Sequence, residues 1–323
     1  MTLVAALDIG GTKTAAALVR GGEVLARARG TTPAADGPEA VLDTAATLVR
    51  QLGGTPERFA AGVAGFVDPN TGVVRAATSS IAGWDGTEVT AGLASRLGID
   101  GVTCNDVHGF VVGEVAYGAA AGASDAVGVA LGTGIGGGVV AGGRLLTGVH
   151  GAAGHLGHLV VPQAVGLRCP CGTTGHLEAV ASGPAIAAGY ARLAGGPAIG
   201  LPEVVERARA GGPAVGLPEA LAGGTAVGLP EVVERARAGD PVAADVLRVA
   251  GEALGAALGS LVNAYDPEVV VIGGGAAVPE VLAAARPALE QAVMPVLSGV
   301  PVKAAGLGLD ATLIGAAVLA VTG

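Results

Sequence analysis

Asn105 and Asp106 form a polar pair at the end of the apolar segment Val102-Thr103-Cys104, just before a helical pattern. A carboxylate in this position could accept the proton of a substrate hydroxyl, and the neighbouring amide could hold the same substrate by hydrogen bonds. Asn and Asp are also common helix N-caps, and a helix from Val107 to Tyr117 would need one. The spacing therefore leaves a catalytic base and a helix cap as open alternatives.

The segment Asp8-Ile9-Gly10-Gly11-Thr12-Lys13 could contact phosphate. Glycines at a turn between strands let backbone N–H groups approach phosphate oxygens, and Thr12 adds a hydroxyl donor. Asp8 could hold Mg²⁺ directly or through water. The segment matches neither a Walker A loop nor a dinucleotide fingerprint, because a strand rather than a helix follows it. A plain tight turn remains an alternative.

A second glycine segment, Leu131 to Gly138, has five glycines in eight residues. Glycine loses more backbone entropy on folding than any other residue, so such a run costs stability, and close approach to a ligand would explain it. Together with the first segment, it predicts a two-sided clamp for phosphate. A third glycine segment, Gly273 to Gly275, either contacts adenosine or simply leads into a helix.

Three of the five histidines and two of the three cysteines lie between residues 154 and 178. His158, Cys169, Cys171 and His176 would supply two imidazoles and two thiolates, a ligand set that suits tetrahedral zinc. A site closed by four protein ligands is structural. The zinc would therefore shape the neighbouring pocket and would not activate water.

Apolar periodicity predicts an α/β fold that positions these residues. Strands at 3–8, 14–18 and 24–29 form a meander, and a similar pattern recurs with strands at 126–131 and 139–141. Helices are predicted at 38–52, 87–97 and 310–321, and further strands at 59–65, 102–104 and 268–272. The repeated meander suggests a duplicated architecture whose halves face each other.

Composition and charge exclude several classes of protein. The chain has 323 residues, 51% of them hydrophobic, and a net charge of −9, which is consistent with two domains. The lack of a Lys/Arg cluster disfavours nucleic-acid partners. No apolar stretch is long enough to span a bilayer and no signal-peptide pattern follows Met1, so we expect a cytoplasmic protein without a membrane partner.

One segment of twelve residues occurs twice, at 200–211 and at 228–239. Two copies are too few for a solenoid. A tandem duplication that lengthens a helix-loop-helix region is the better interpretation. We expect the region near 197–240 to form a surface excursion with no catalytic part.

In this order, the segments resemble those of the ROK family (repressor, open reading frame, kinase). The matching pieces are Asp8 to Lys13, Asn105-Asp106, Leu131 to Gly138, Gly157-His158, Cys169 to Gly175 with Glu178, and Leu309 to Ala317. The resemblance covers the chain apart from the repeated segment. It implies two actin-like, ribonuclease-H-like ATPase domains around a cleft, one formed by residues 1–118 with 303–323 and the other by residues 119–302. It also implies a homodimer.

The resemblance implies a sugar kinase that uses ATP with Mg²⁺, with Asp106 as the general base. The residues that it implies as sugar contacts are Asn105, His158, Glu178, Gly65 and Ser80. The residues predicted to contact the nucleotide are Asp8, Gly10, Gly11, Thr12, Lys13, Gly132, Thr133, Gly134 and Gly274.

Two positions depart from the family pattern. His176 stands where most members have a third zinc cysteine. Either imidazole replaces thiolate there, or the site has lost its metal and is held by hydrogen bonds.

His155 stands where most ROK kinases have Glu. Neutral His can donate a hydrogen bond, which an N-acetyl carbonyl needs. The form Gly-His-x-Gly-His also resembles the N-acetylmannosamine kinases of the family, so we hypothesise N-acetylmannosamine as the substrate, with His155 as its selector. Glucose is the main rival, and N-acetylglucosamine is a further alternative.

Two other functions are alternatives to a kinase. ROK repressors carry a DNA-binding domain before the glycine motif, and we expect none here because Asp8 lies close to the start of the chain. A sugar sensor without catalysis would fit decay of the site at His155. Retention of Asp106 and of both glycine segments favours the kinase.

Overall fold

The computed structural model describes residues 1–77, 80–195 and 227–322. Its strands are β1 (Val4–Ile9), β2 (Lys13–Arg20), β3 (Glu23–Thr31), β4 (Arg58–Val63), β5 (Phe66–Val67), β6 (Val74–Ala76), β7 (Gly101–Asn105), β8 (Ala126–Leu131), β9 (Ile135–Ala141), β10 (Arg144–Leu145), β11 (Val269–Gly273) and β12 (Val302–Ala304). Its α-helices are α1 (Pro38–Gln51), α2 (Val89–Leu97), α3 (Asp106–Tyr117), α4 (Glu178–Ala181), α5 (Gly183–Ala194), α6 (Leu229–Arg237), α7 (Pro241–Tyr265), α8 (Pro279–Ala292) and α9 (Ala311–Thr322).

Two five-stranded sheets are built on the same plan. Their strand orders are β3-β2-β1-β4-β7 and β10-β9-β8-β11-β12. In each sheet, three consecutive strands pair antiparallel, and two later strands add in parallel beside the first strand of the meander. The predicted α/β class and the recurrence of the meander are confirmed. Strands β5 and β6 form a separate small hairpin beside the first sheet.

Local signals in the sequence determine where the long helices begin and end. Proline occupies the first position of α1, where no backbone N–H is needed, and Gly53 follows the helix with a positive φ of 69°. Asp240 caps α7 because its carboxylate accepts hydrogen bonds from the N–H groups of Val242 and Ala243 at 2.9 and 3.2 Å. These boundaries agree with the sequence pattern to within one or two residues for α1, α2 and α9.

Helices and sheets alternate in layers, each of which buries an apolar face. Helices α1 and α2 cover one face of the first sheet, and α9 covers the other face through Leu313 and Ile314. Helix α3 packs on the second sheet through Phe110 and Val111. Helices α5 to α8 cover the remaining face of the second sheet. The helices α3 and α9 therefore lie between the two sheets.

The backbones of α3 and α9 approach each other directly. A Cβ atom at Gly113 would overlap the carbonyl of Ala311, and one at Gly315 would overlap the carbonyl of Gly109. Glycine is needed at both crossing points because any side chain would force the helices apart. This contact joins α9, which covers the first sheet, to α3, which packs on the second sheet and begins with Asp106.

Glu114, near the end of α3, holds both chain segments that pass between the halves. Its buried carboxylate accepts hydrogen bonds from the N–H groups of Ala119, Gly306 and Leu307 at 2.7, 2.9 and 2.9 Å. A buried carboxylate is stable only with such partners. Glu114 therefore holds two connections at the end of the same helix: the one that leaves the first half at Ala119 and the one that returns to it at Gly306 and Leu307.

The second copy of the repeated segment is part of the core. Helix α6 (Leu229–Arg237) lies within this copy, and Val232 and Val233 are 0% and 5% exposed in the cluster that covers the second sheet. The expectation of a surface excursion is therefore wrong for this copy, because α6 is amphipathic and buries its apolar face against α5 and α7. The first copy, at 200–211, lies outside the described residues.

Within the described ranges, no helix combines the length and the apolar character needed to cross a membrane.

Candidate active site

Asn105 and Asp106 lie where β7 meets α3, and the helix-cap alternative holds for Asn105. The Asn105 side chain is the N-cap, since its Oδ1 accepts hydrogen bonds from the N–H groups of Val107 and His108 at 3.0 and 3.1 Å. Its Nδ2 donates to the Gly65 carbonyl and to Asp106 Oδ1, both at 3.0 Å. All four hydrogen-bonding positions of the Asn105 amide are thus used within the protein.

Asp106 is the first residue of α3, and one of its carboxylate oxygens remains available to a ligand. Oδ1 accepts the Asn105 amide and the Val107 N–H at 3.0 and 2.9 Å. Among the described residues, Oδ2 accepts no protein hydrogen bond. The helix N-terminus favours the ionised carboxylate, while burial opposes it.

A second carboxylate, Asp8, lies near Asp106 because β1, β4 and β7 are parallel neighbours. Asp8 is paired in register with Gly62, and Gly62 is paired with Cys104. Burial raises the pKa of the Asp8 carboxyl to about 6. Burial, together with the negative charge of Asp8, raises the pKa of Asp106 to about 7. Two desolvated carboxyl groups of like charge form a site that a cation or a proton donor would stabilise.

The first glycine segment is a tight turn between β1 and β2. The Gly10 N–H donates to the Lys13 carbonyl at 3.0 Å, and the Thr32 hydroxyl donates to the Gly10 carbonyl at 2.7 Å. A Cβ atom at Gly11 would lie 2.7 Å from Cβ of Ser80, so Ser80 lies directly over this turn. The side chains of Thr12 and Lys13 are exposed. The turn is thus open on the side of these two residues.

The second glycine segment differs from the prediction, because strand β9 begins at Ile135 rather than at residue 139. Three of its five glycines make room for protein side chains. A Cβ atom would lie 2.5 Å from Val107 Cγ2 at Gly136 and 3.0 Å from Val111 Cγ2 at Gly138, and one at Gly137 would overlap Leu156. The expectation that ligand approach accounts for the whole run is therefore wrong. Packing against α3 and Leu156 accounts for these three positions.

The remaining part of this segment, Gly132 to Gly134, forms the turn. The Gly132 N–H donates to the Gly134 carbonyl at 2.8 Å, and the Ile135 N–H donates to Glu178 Oε2 at 2.7 Å. Gly274 lies beside this turn, since a Cβ atom there would overlap the Leu131 carbonyl, and its φ is +93°. The structure thus brings the second and third glycine segments together. Within the described ranges, no hydrogen bond joins either of them to the first.

The predicted metal ligands form one cluster. Ligand atoms of His158, Cys169, Cys171 and His176 all lie within 4.8 Å of one another. Cys169 Sγ is 3.7 Å from His158 Nδ1, and Cys171 Sγ is 3.3 Å from His176 Nδ1. These spacings and the mixed sulfur and nitrogen donors fit a tetrahedral zinc ion.

Glu178 connects this cluster to the second glycine turn. Its Oε1 lies 3.9 Å from Cys169 Sγ, while its Oε2 accepts the Ile135 N–H. His158 turns its Nδ1 toward Cys169, which leaves its Nε2 for another partner. One imidazole could therefore hold zinc and a ligand hydroxyl at the same time.

His155 has its hydrogen-bonding roles set by its neighbours. Its Nδ1 lies 3.2 Å from the Ala152 carbonyl and must carry the proton there. Burial, reinforced by His108, lowers the pKa of His155 to about 4, so the ring is neutral at pH 7. Nε2 is then an acceptor. In this arrangement the Nδ1–H is bonded to Ala152, and Nε2 would offer a ligand an acceptor rather than the donor expected from the sequence.

Two residues of this region were not predicted from the sequence. Phe66 stacks on His155 with ring centroids 4.0 Å apart, and the buried His108 places Nε2 2.7 Å from the Ala153 carbonyl. Both contacts join residues that are more than 40 positions apart, so no local pattern could have indicated them. The only signal is that His108 follows Asp106 by two positions in the same helix.

The site therefore combines a carboxylate of raised pKa with glycine turns on two sheets and a cluster of imidazoles and thiols. Such a set can deprotonate an alcohol and can place backbone N–H groups against phosphate. Acid–base chemistry with electrostatic stabilisation is what this arrangement supports.

Comparison with known proteins agrees with this chemistry. Residues 4–322 match the sequence model of the ROK family. The chain is 35% identical over 324 residues to the bifunctional enzyme NanE/NanK of Brucella melitensis, with 99% of this chain and 54% of that protein covered. It therefore spans about half the length of that relative.

Two further relatives are single enzymes by name. The glucokinase of Thermotoga maritima is 33% identical over 276 residues, which cover 83% of this chain and 80% of the relative. The N-acetylmannosamine kinase of Escherichia coli O9:H4 is 35% identical over 185 residues, which cover 57% of this chain and 62% of the relative.

Among solved structures, the ROK glucokinase of Streptomyces griseus in complex with glucose and AMPPNP superposes with a TM-score of 0.79 and 31% identity, covering 99% of this chain and 100% of that chain. The two sheets thus have the actin-like fold of the ROK sugar kinases, as predicted. The chain belongs to the ROK family.

Proposed function

We propose that the chain is a sugar kinase that transfers the γ-phosphoryl group of ATP to the 6-hydroxyl of a hexose or N-acetylhexosamine. The observation that carries the proposal is the position of Asp106. Its carboxylate lies at the N-terminus of the helix between the two sheets, with one oxygen available and with a glycine turn on each sheet. Family membership and the names of the relatives support the same activity.

Asp106 is proposed as the general base. A pKa of about 7 keeps a large fraction of the carboxylate ionised at neutral pH and makes it a stronger base than an ordinary Asp. Oδ2 would accept the proton of the 6-hydroxyl as the oxygen attacks phosphorus. Asn105 would mainly hold Asp106 and Gly65 in position through its two N–H hydrogen bonds. A direct hydrogen bond from this amide to the sugar would require one of these two bonds to break.

The nucleotide is proposed to lie between the glycine turns of the two sheets. The contacting residues would be Asp8, Gly10, Gly11, Thr12 and Lys13 from the first sheet, and Gly132, Thr133, Gly134 and Gly274 from the second. Asp8 offers a carboxylate of the kind that Mg²⁺ prefers, and burial raises the pKa of this carboxyl group. Mg²⁺ bound with ATP would neutralise charge on the phosphate oxygens.

The sugar is proposed to contact His155, His158, Glu178, Gly65 and Ser80. N-Acetylmannosamine is the preferred candidate, with support from the His155 position and from the named Escherichia coli relative. Because His155 Nε2 is an acceptor, it suits the acetamido N–H rather than the acetamido carbonyl. The same acceptor suits a hydroxyl, and the Thermotoga maritima relative is a glucokinase, so glucose is the second candidate.

A structural zinc ion is proposed at His158, Cys169, Cys171 and His176. The four ligand atoms lie within the range that a tetrahedral ion could draw together. Zinc there would fix the loop that carries His158 and Glu178. His176 replaces the third family cysteine without loss of a ligand.

The division into domains follows the two sheets. We propose that residues 1–118 and the C-terminal helix form one domain and that residues 119–302 form the body of the other. Because β12 ends at Ala304 and belongs to the second sheet, the chain would return to the first domain just after this strand. The homodimer and the cytoplasmic location remain predictions.

The test is ATP turnover with N-acetylmannosamine, glucose and N-acetylglucosamine, with the phosphorylated carbon identified by NMR. A 6-phosphate product is expected, and no turnover with any hexose or N-acetylhexosamine would overturn the proposal. The variant His155→Leu, whose side chain has no hydrogen-bond acceptor, tests the choice of sugar. If His155 Nε2 accepts the acetamido N–H, the ratio of kcat/KM values should shift toward glucose by about tenfold. An unchanged ranking would remove His155 as the selector.

A further inference from the structure

The loop of residues 147–155, which we call the histidine loop, carries His155 and contacts the other half of the molecule at three points. Its residue Gly151 lies against the Val67 carbonyl, where a Cβ atom would overlap the oxygen. His155 stacks on Phe66, with an interplanar angle of 17°. The Ala153 carbonyl lies 2.7 Å from His108 Nε2.

The His108 contact has a defined chemistry. A carbonyl oxygen is only an acceptor, so Nε2 must carry the hydrogen and donate it. His108 is 3% exposed, and a buried donor of this kind needs its partner. His108 belongs to α3, two positions after Asp106. One helix therefore holds both the proposed base and the main anchor of the histidine loop.

The Phe66 contact restrains the same loop from the other side. Phe66 follows Gly65, whose carbonyl is bonded to the Asn105 side chain at 3.0 Å. The His155 ring is thus held between the Ala152 carbonyl, which sets its Nδ1–H, and the face of Phe66. Its remaining nitrogen has a restricted orientation.

We propose that His108 and Phe66 are positioning residues that hold the histidine loop, and with it His155, in fixed relation to Asp106. The proposal rests on the proposed sugar kinase activity for its kinetic consequence. The two side chains act through the loop and do not themselves react. A loose loop would let His155 leave the sugar while Asp106 and the nucleotide turns stay in place.

The first test measures the loop without sugar or ATP. Amide hydrogen exchange over residues 147–158 should be at least about tenfold faster in His108→Leu, because the loop opens locally when its anchor is lost. His108→Gln should restore slow exchange, since the glutamine amide can place an N–H near the former Nε2. Exchange in His108→Leu equal to that of the parent protein would overturn the proposal, whether or not the chain is a kinase.

The second test measures the consequence for the sugar. His108→Leu and Phe66→Leu should each raise the sugar KM about 10- to 100-fold, the range that small misplacements produce, and should leave the ATP KM within about twofold. The control is Tyr190→Phe, which removes the hydrogen bond of 2.7 Å from the Tyr190 hydroxyl to Asp240. Both residues belong to the half of the molecule that carries the histidine loop. Tyr190→Phe should lower stability without a change in sugar KM. Equal increases in both KM values, or a control that matches the test variants, would contradict a positioning role.

Discussion

The two glycine hairpins have the same topology, but their glycines serve different purposes. In the hairpin β1–β2, Gly10 and Gly11 lie in the turn itself, and the nearest atom to a Cβ at Gly10 would be the Lys13 carbonyl oxygen at 3.3 Å. In the hairpin β8–β9, Gly136 and Gly138 lie inside β9 and make space for valines of α3. Similar sequences thus place glycines in the turn of one hairpin and, in the other hairpin, also inside a strand that packs against a helix.

The two halves also differ in how their polar groups are paired. Asp8 and Asp106 lie at strand ends of the first sheet, form no ion pair with another described residue, and have pKa values that burial raises. On the second sheet, Glu178 is bonded to the Ile135 N–H and lies beside the cluster of imidazoles and thiols. The first half therefore carries two buried carboxyl groups of raised pKa, and the second half carries a hydrogen-bonded glutamate beside the cluster.

The largest expected effect follows from removing the charge at Asp106. Asp106→Asn should lower kcat by about 10² to 10⁴, the usual contribution of a general base, with ATP affinity largely unchanged. The variant should also be more stable at pH 8 by about 1–3 kcal/mol. Folding raises the pKa of the Asp106 carboxyl from its ordinary value of 3.8 to about 7. As the pH rises from 3.8 to about 7, the ionised carboxylate therefore lowers the free energy of unfolding. Asn does not ionise, so the variant avoids this loss. Steady-state kinetics and thermal unfolding provide the measurements.

Asp85→Asn is the matched control for that variant. Asp85 also accepts a backbone N–H, from Ala77 at 2.7 Å, but it is outside the proposed site. It should retain full turnover. Undiminished turnover by Asp106→Asn would mean that another group is the base.

Loss of zinc should have the next largest effect, and it acts on the second half only. The parent protein should contain one zinc per chain, and Cys169→Ser or chelation should remove it. A ligand present at about a thousand times its Kd stabilises the folded state by about 4 kcal/mol, so a loss of similar size is expected. Metal analysis and unfolding midpoints check this, and a metal-free parent protein of unchanged stability would show a cluster held by hydrogen bonds alone.

Alanine in place of one glycine of each hairpin should distinguish glycines needed for packing from glycines that contact a ligand. Gly136→Ala places a methyl group 2.5 Å from the stiff side chain of Val107, and it should cost about 1–3 kcal/mol of unfolding free energy. Gly10→Ala meets no atom closer than 3.3 Å, so it should unfold near the parent midpoint while its ATP KM rises. Denaturant unfolding and ATP kinetics measure both effects. The reverse result would mean that the roles of the two hairpins are exchanged.

The smallest expected effect is a shift of the pH profile. Activity should rise with pH through about 7, because the base must lose its proton and the pKa of Asp106 is about 7. Asp8→Asn removes the like charge that contributes to this value, so the midpoint of the kcat/KM profile should move to lower pH by less than one unit. Asp85→Asn should leave the midpoint in place. If the midpoint does not change in Asp8→Asn, the charge of Asp8 does not affect the pKa of Asp106.

Much of the fold could be predicted from the sequence because it depends on local pattern. Strand and helix positions followed from apolar periodicity, glycines and caps, and the two meanders were visible as repeats. The start of β9 was missed because three glycines look like a loop until the side chains of α3 and Leu156 fill the space above them. The repeated segment was misjudged since an amphipathic helix was taken for a surface excursion.

The candidate site divides in the same way. The identities of Asp8, Asp106 and the His/Cys cluster were recognisable because their chemistry depends on residue type and short spacing. The roles of Asn105, His155 and His108 were not, because each depends on a partner that is distant in the sequence or on a carbonyl that no pattern records.

Residue types and short spacings are enough to specify two glycine turns, a base candidate and a set of candidate metal ligands, since these follow from local geometry and intrinsic chemistry. Only the packed molecule specifies the pKa of Asp106, which depends on burial and on Asp8 across a parallel sheet. Likewise, His155 is an acceptor only because Ala152 and Phe66 hold its ring. Electrostatics and orientation depend on distances through space, and the chain sets these only when its two halves pack around α3 and α9.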